Sequence, residues 1–401
     1  MAPQHSFLRL IGLAVAGGLL LAAANGCSSS RPSQSAADRR SSSPSPSGPA
    51  LSLLYTTADA ELVLRDARRD TSQRLATGVE FTGHRALSPT GRYLAFSYAT
   101  ADSSHLALLD LTDAALQRVH AVSGRAVYSL AWHPDQERLA FGHYRRTDSD
   151  ERGPGGIQVA TPSGTTRDLG CRSVREVLQW LPDSSLATRT SDTLYLVSTE
   201  DCSTRASRDA RRMYHIRYAP EGRRMAYIYR ELRYDRSAGD YVPDSSLVVS
   251  DARGQNSETL FGDERQVRHL RWGPNGSELA FDMETEDSPH RQIVVHDGNR
   301  PIFLVPPSQT TADQVFPRWS PSGDRLAFAL RTADGLRAAV RLQGQTRRLG
   351  PVEGAVWGWL DNRSVVVPGP DSLRIQTLNG TTRYARPAPT ALIYVWTRPV
   401  S

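Results

Sequence analysis

The chain has 401 residues, 39% of them hydrophobic, with 48 basic against 42 acidic side chains for a formal charge of +6. That is enough apolar matter for a core and too little charge for wholesale disorder, and the length allows two or three domains or one large repeat fold. No lysine occurs, so every basic residue is an arginine. A P-loop and Schiff-base catalysis, which both need a lysine, are thereby excluded. Residues 1–49 hold Arg9, Arg31, Arg39 and Arg40 against Asp38, while the remainder balances 44 arginines with 41 acids. A body so balanced lacks the basic footprint of a nucleic-acid binder.

Residues 1–9 contain no acid and end in Arg9, and residues 10–24 then run apolar for 15 positions. This suits a secretory signal and is short of the roughly 17–25 residues that span a bilayer. The run ends in Ala24-Asn25-Gly26-Cys27, which resembles the lipobox of bacterial lipoproteins. The resemblance implies that residues 1–26 are a signal peptide and that Cys27 becomes the lipidated first residue of the mature protein. Ser28, where an inner-membrane retention signal would place Asp, favours the outer membrane. Residues 28–49 are rich in Ser and Pro and read as a flexible tether, so 27–49 is anchor and linker and 50–401 the folded domain.

From residue 50 onward one pattern recurs: an aromatic or leucine, a turn with Pro and often Gly, then an apolar triplet. It runs Leu87-Ser88-Pro89-Thr90-Gly91 before Leu94-Ala95-Phe96, then Trp132-His133-Pro134, Trp180-Leu181-Pro182 and Tyr218-Ala219-Pro220-Glu221-Gly222. Trp272-Gly273-Pro274-Asn275-Gly276, Trp319-Ser320-Pro321-Ser322-Gly323 and a degenerate Trp359-Leu360-Asp361 follow. Pro and Gly at these places suit a type I β-turn, and the alternating flanks are strand-like. The intervals are 45, 48, 38, 54, 47 and 40 residues, the period of four-stranded propeller blades. The motif resembles the WD40-like repeat of the TolB propeller family, which implies an all-β propeller of antiparallel blades. Strand-like pieces at residues 51–57, 61–66 and 73–76, with one more at 392–396, make a further blade closed by both ends of the chain. Eight blades of about 44 residues result; seven blades would need about 50 each.

Apart from Cys27 only Cys171 and Cys202 remain, an even pair predicted to staple neighbouring blades in an oxidising compartment. The Pro-Gly turns lie on one face. The opposite face is expected to carry longer loops at 145–156, with Arg145, Arg146 and Asp148; at 229–244, with Tyr229, Tyr234 and Tyr241; and at 282–290, with Glu286 and His290. Tyrosine and arginine are common interface anchors, so these loops are the candidate binding surface. The acids Asp282, Glu284, Glu286 and Asp287 read as a solvated stretch.

His84, His215 and His269 each stand five residues before a turn proline. Three imidazoles at one height of a channel are a candidate site for a divalent metal, packed or solvated strand histidines being the other reading. Oligogalacturonate lyases are similar propellers that hold manganese through channel histidines. No G-x-S-x-G, H-E-x-x-H, C-x-x-C or G-x-G-x-x-G motif occurs. The expectation is therefore a lipid-anchored, monomeric envelope propeller without cofactor, acting as a non-catalytic scaffold for another envelope protein and not for nucleic acid. The alternative is a metal-dependent carbohydrate-active enzyme or sugar binder working in the channel.

Overall fold

The computed structural model describes residues 50–66, 71–101, 103–123, 125–146, 152–171, 176–237, 239–262, 266–285, 287–304, 311–342, 345–352, 356–369, 373–380, 382–385 and 391–398. The signal peptide, Cys27, the tether, Asp148 and Glu286 lie outside these residues. The described chain forms eight four-stranded antiparallel sheets, and it contains no helix long and apolar enough to cross a membrane. The sheets are the blades of a β-propeller. Blades 2 to 8 occupy residues 80–123, 125–168, 176–209, 213–261, 268–303, 313–352 and 358–385, each with its strands in chain order from the axis outward.

Blade 1 is assembled from both ends of the chain. Ala391–Arg398 supplies its inner strand and pairs antiparallel with Ala50–Thr56, after which Leu62–Asp66 and Thr71–Ala76 complete the sheet. The ring is thus closed by main-chain hydrogen bonds between its two terminal strands, as expected for eight blades.

The repeated turn and triplet explain the packing. The Gly91 amide donates to the Ser88 carbonyl at 2.9 Å and the Gly323 amide to Ser320 at 3.0 Å, closing the turns between inner and second strands. Both glycines have positive φ, 73° and 80°, which a side chain would disfavour. In the triplets, large residues on one sheet face pack against the preceding blade and the small central residue faces the following one. Leu279 and Phe281 join the blade 5–6 cluster, whereas Ala280 joins the blade 6–7 cluster with Trp319. Leu326 and Phe328 return to that same layer while Ala327 lies with Trp359 between blades 7 and 8. The core is therefore a ring of interblade layers, five of them with an alanine making room for the next blade's tryptophan.

That tryptophan also reaches across the interface. Trp132 Nε1 donates to the Ala86 carbonyl (3.0 Å), Trp180 to Ala131 (2.8 Å), Trp272 to Arg217 (2.9 Å), Trp319 to Arg271 (3.0 Å) and Trp359 to Arg318 (2.8 Å). In blade 5 the equivalent Tyr218 turns its hydroxyl to the Ala252 carbonyl of its own blade instead.

Cys171, just past the outer strand of blade 3, is disulfide-bonded to Cys202, just before the outer strand of blade 4, with Cα atoms 5.5 Å apart. Closing a loop of this length contributes about 3–4 kcal/mol on the chain-entropy account.

Four histidines, His143 among them, are sealed into the blades among the described residues. His105, His133 and His296 are 9%, 5% and 8% exposed. Burial lowers the pKa of each, helped by Arg118 at His105 and by Arg138 at His133. Each therefore takes up a proton less readily in the folded chain than in the unfolded one, where histidines titrate near about 6.5. The unfolded state then holds more protons, so stability conferred above that pH is lost as pH falls below it. The melting temperature is expected to drop between pH 7.5 and 5.5 in scanning calorimetry; a flat or rising midpoint contradicts the assignment.

Candidate functional site

The longest hairpin belongs to blade 5. Its second and third strands, Arg224–Asp235 and Asp240–Asp251, have 12 residues each and pair continuously to Asp235↔Asp240. Most of the segment expected as a loop at 229–244 is therefore strand. Its tip exposes Leu232 (67%), Tyr234 (53%) and Tyr241 (63%), and the two tyrosine rings meet edge to face at 5.3 Å. Tyr229 stands nearer the blade, half-buried against its core, with Arg212 Nη1 3.5 Å from its hydroxyl.

The other two expected loops are also shorter than read. The blade 3 strands run to Arg146 and resume at Arg152, which leaves Arg145 and Arg146 on a strand. Strands Leu279–Thr285 and Ser288–His296 absorb almost all of 282–290. His290 sits against the next blade, its Nδ1 3.4 Å from Asp313 Oδ1.

Asp282 is a correction to the solvated acidic stretch, because its side chain is fully buried. It accepts from Arg291 Nε at 2.9 Å and from His269 Nδ1 at 2.5 Å. Arg291 continues to Glu284 (2.8 Å) and to the Gln266 carbonyl (2.6 Å). The sequence hides this because the partners lie nine residues ahead and thirteen behind, meeting only through sheet register.

His215 and His269 line one cavity of about 790 Å³, and His84 is not among its lining residues. Among the described residues no group of three His, Cys, Asp or Glu side chains is placed to hold a metal ion. The cavity is bounded by inner strands Met213–Tyr218 and Arg268–Trp272 and roofed by Arg230, Asp235, Val242 and Ser245 of the long hairpin.

Both histidines occupy β-bulges of their inner strands, with φ of 55° and 54°, and Phe316 repeats the conformation at 61° in blade 7. Left-handed backbone at a non-glycine residue costs of order 1–3 kcal/mol and persists only where the surroundings enforce it. Here the His269 ring is held between Asp282 and the Phe316 ring, whose centroid is 4.4 Å away. At His215, partial burial and the neighbouring Arg217, Arg230 and His269 lower the pKa.

The cavity lining includes residues that the histidine search passed over: Arg217, Arg230, Arg268 and Arg271. Burial, then repulsion from Arg318 and Arg217, pulls Arg271 down to about 10, still charged at neutral pH. A signal was present, since His215-Ile216-Arg217-Tyr218 and His269-Leu270-Arg271-Trp272 repeat almost unchanged before successive turns, and Phe316-Pro317-Arg318-Trp319 keeps the arginine.

No protein-family model and no curated protein matches the chain. Solved structures do resemble it in fold. Dihydro-heme d1 dehydrogenase NirN in complex with DHE aligns with a TM-score of 0.53 at 14% identity, covering 87% of this chain and 75% of its own. A eukaryotic initiation factor gives 0.51 at 13%, covering 86% and 85%. TolB from Acinetobacter baumannii gives 0.37 at 13%, covering 88% and 67%. At such identities the likeness concerns the propeller alone.

Removing one member of a buried ion pair strands the other charge and typically costs about 3–5 kcal/mol. Asp282→Asn is therefore expected to lower unfolding stability by about 3 kcal/mol in urea titration. A loss under about 1 kcal/mol contradicts the structural weight given to this carboxylate.

Proposed function

We propose that this chain is a lipid-anchored protein of the bacterial envelope, tethered through Cys27, whose propeller binds a partner protein with the blade 5 hairpin. The observation that carries the reading is the hairpin itself. Two fully paired 12-residue strands project Leu232, Tyr234 and Tyr241 into solvent. Large apolar and aromatic side chains grouped on a rigid projection are what a protein partner buries first. The signal-like residues 10–24, the lipobox-like Ala24-Asn25-Gly26-Cys27 and the tether at 28–49 support a membrane-attached position, with Ser28 favouring the outer membrane. The Cys171–Cys202 disulfide accords with an oxidising compartment.

A channel enzyme or sugar binder is the second reading, favoured by the imidazole of His269 held by Asp282 at the cavity wall. An oriented imidazole is the usual equipment of a general acid or base.

The test is crosslinking in living cells with the native protein and with a Leu232→Ser/Tyr234→Ser/Tyr241→Ser triple variant. All three side chains are exposed, so the fold is retained. One envelope protein is expected to be captured with the native chain and at least tenfold less with the variant. Equal capture would falsify the hairpin reading and turn attention to the cavity.

A further inference from the structure

The cavity between blades 5 and 6 has a lining that the hairpin reading does not use. Among the described residues, Arg217, Arg230, Arg268 and Arg271 share it with one carboxylate, Asp235. Arg291, the neighbouring arginine that does hold a buried carboxylate, takes Asp282 and lies outside this lining. The bonds of the four lining arginines are modest. Arg217 and Arg271 donate to the carbonyls of Ile216 (2.9 Å) and Leu270 (3.0 Å), Arg268 donates to Gln266 Oε1 (2.5 Å), and Arg230 lies over the Tyr214 ring. A guanidinium offers five donors, so the contacts named here use only part of what each side chain can give.

The placement follows the repeat and is confined to one side of the ring. Arg217, Arg271 and Arg318 each pair in register with the central alanine of a triplet, Ala226, Ala280 and Ala327. The same register position in blades 2, 3, 4 and 8 holds Ala86, Ala131, Gln179 and Gly358. Three successive blades therefore present arginine where the others present small or neutral residues. Each of these arginine carbonyls is fixed by the next blade's tryptophan, so the bases of the side chains are held rigidly. A bound anion would relieve the mutual repulsion of these clustered like charges.

We propose that this cavity is a binding site for a small organic ligand carrying at least two carboxylate or phosphate groups. The planar fork of arginine matches both kinds of oxyanion in bidentate fashion. A cavity of about 790 Å³ lies within the range that accommodates a whole small molecule. Asp282 is fully buried, paired with Arg291 and outside the cavity lining, while His215 and His269 add polar ring atoms to the wall. The cavity borders the hairpin tip through Asp235 and Val242, but the anion it takes is recognised by the arginines and not by Leu232, Tyr234 or Tyr241.

The test is isothermal titration of the detergent-solubilised full chain with citrate and, separately, with pyrophosphate. The two arms distinguish a carboxylate from a phosphate ligand. At least one anion is expected to bind one to one. Arg217→Gln and Arg271→Gln should each weaken it at least tenfold, and added salt should weaken it further. Arg253→Gln, an exposed change outside the cavity lining, should leave it unaltered. Should Arg271→Gln fail to fold, the exposed Arg268→Gln serves in its place. Absence of binding at millimolar anion, binding that survives Arg217→Gln combined with Arg268→Gln, or equal loss in Arg253→Gln each overturns the proposal.

Discussion

The structure depends on the hydrogen bond from a tryptophan indole to a main-chain carbonyl of the preceding blade. A propeller sheet buries both faces against neighbours, so its stability rests on how each interface is matched. In five of the interfaces an indole fills the space left by an alanine and satisfies a carbonyl on the adjacent inner strand. The large, small, large order of the second strand follows from that wedge. The wedge also sets the spacing at which successive inner strands approach the axis.

The site grows from the same contact. In blades 5 to 7 the residue whose carbonyl receives the indole is an arginine, and two positions earlier the backbone turns left-handed at His215, His269 and Phe316. The bulge breaks the strict alternation of the strand and re-aims the side chains beside it. Repetition of the bulge in adjacent blades gathers like side chains on one side of the ring. Asp282, locked by Arg291, then fixes the orientation of His269.

Much of this was legible in the sequence, and the boundary has a physical basis. The Pro-Gly turn, the tryptophan and the triplet are local devices whose chemistry is written within ten residues, and the terminal strands betray ring closure by being left over. The blade 5 hairpin was read as a loop because both its faces meet water near the tip, leaving no apolar alternation around Leu232 and Tyr241. Asp282 was read as solvated because its burial depends on Arg291 and His269, which only register brings to it. The channel arginines were passed over for a different reason. Among so many arginines no single one stands out, and only alignment of the repeats sets Arg217, Arg271 and Arg318 apart.

Tryptophans at one repeat position tie five of the blades to the one before. Hydrogen exchange at the indole N–H groups, followed by nitrogen-15 NMR and assigned by single Trp→Phe replacements, tests this most directly. Trp132, Trp180, Trp272, Trp319 and Trp359 should exchange much more slowly than in the unfolded chain, and replacing one should slow no other. Exchange at the unfolded rate for these five in the folded protein would contradict the account.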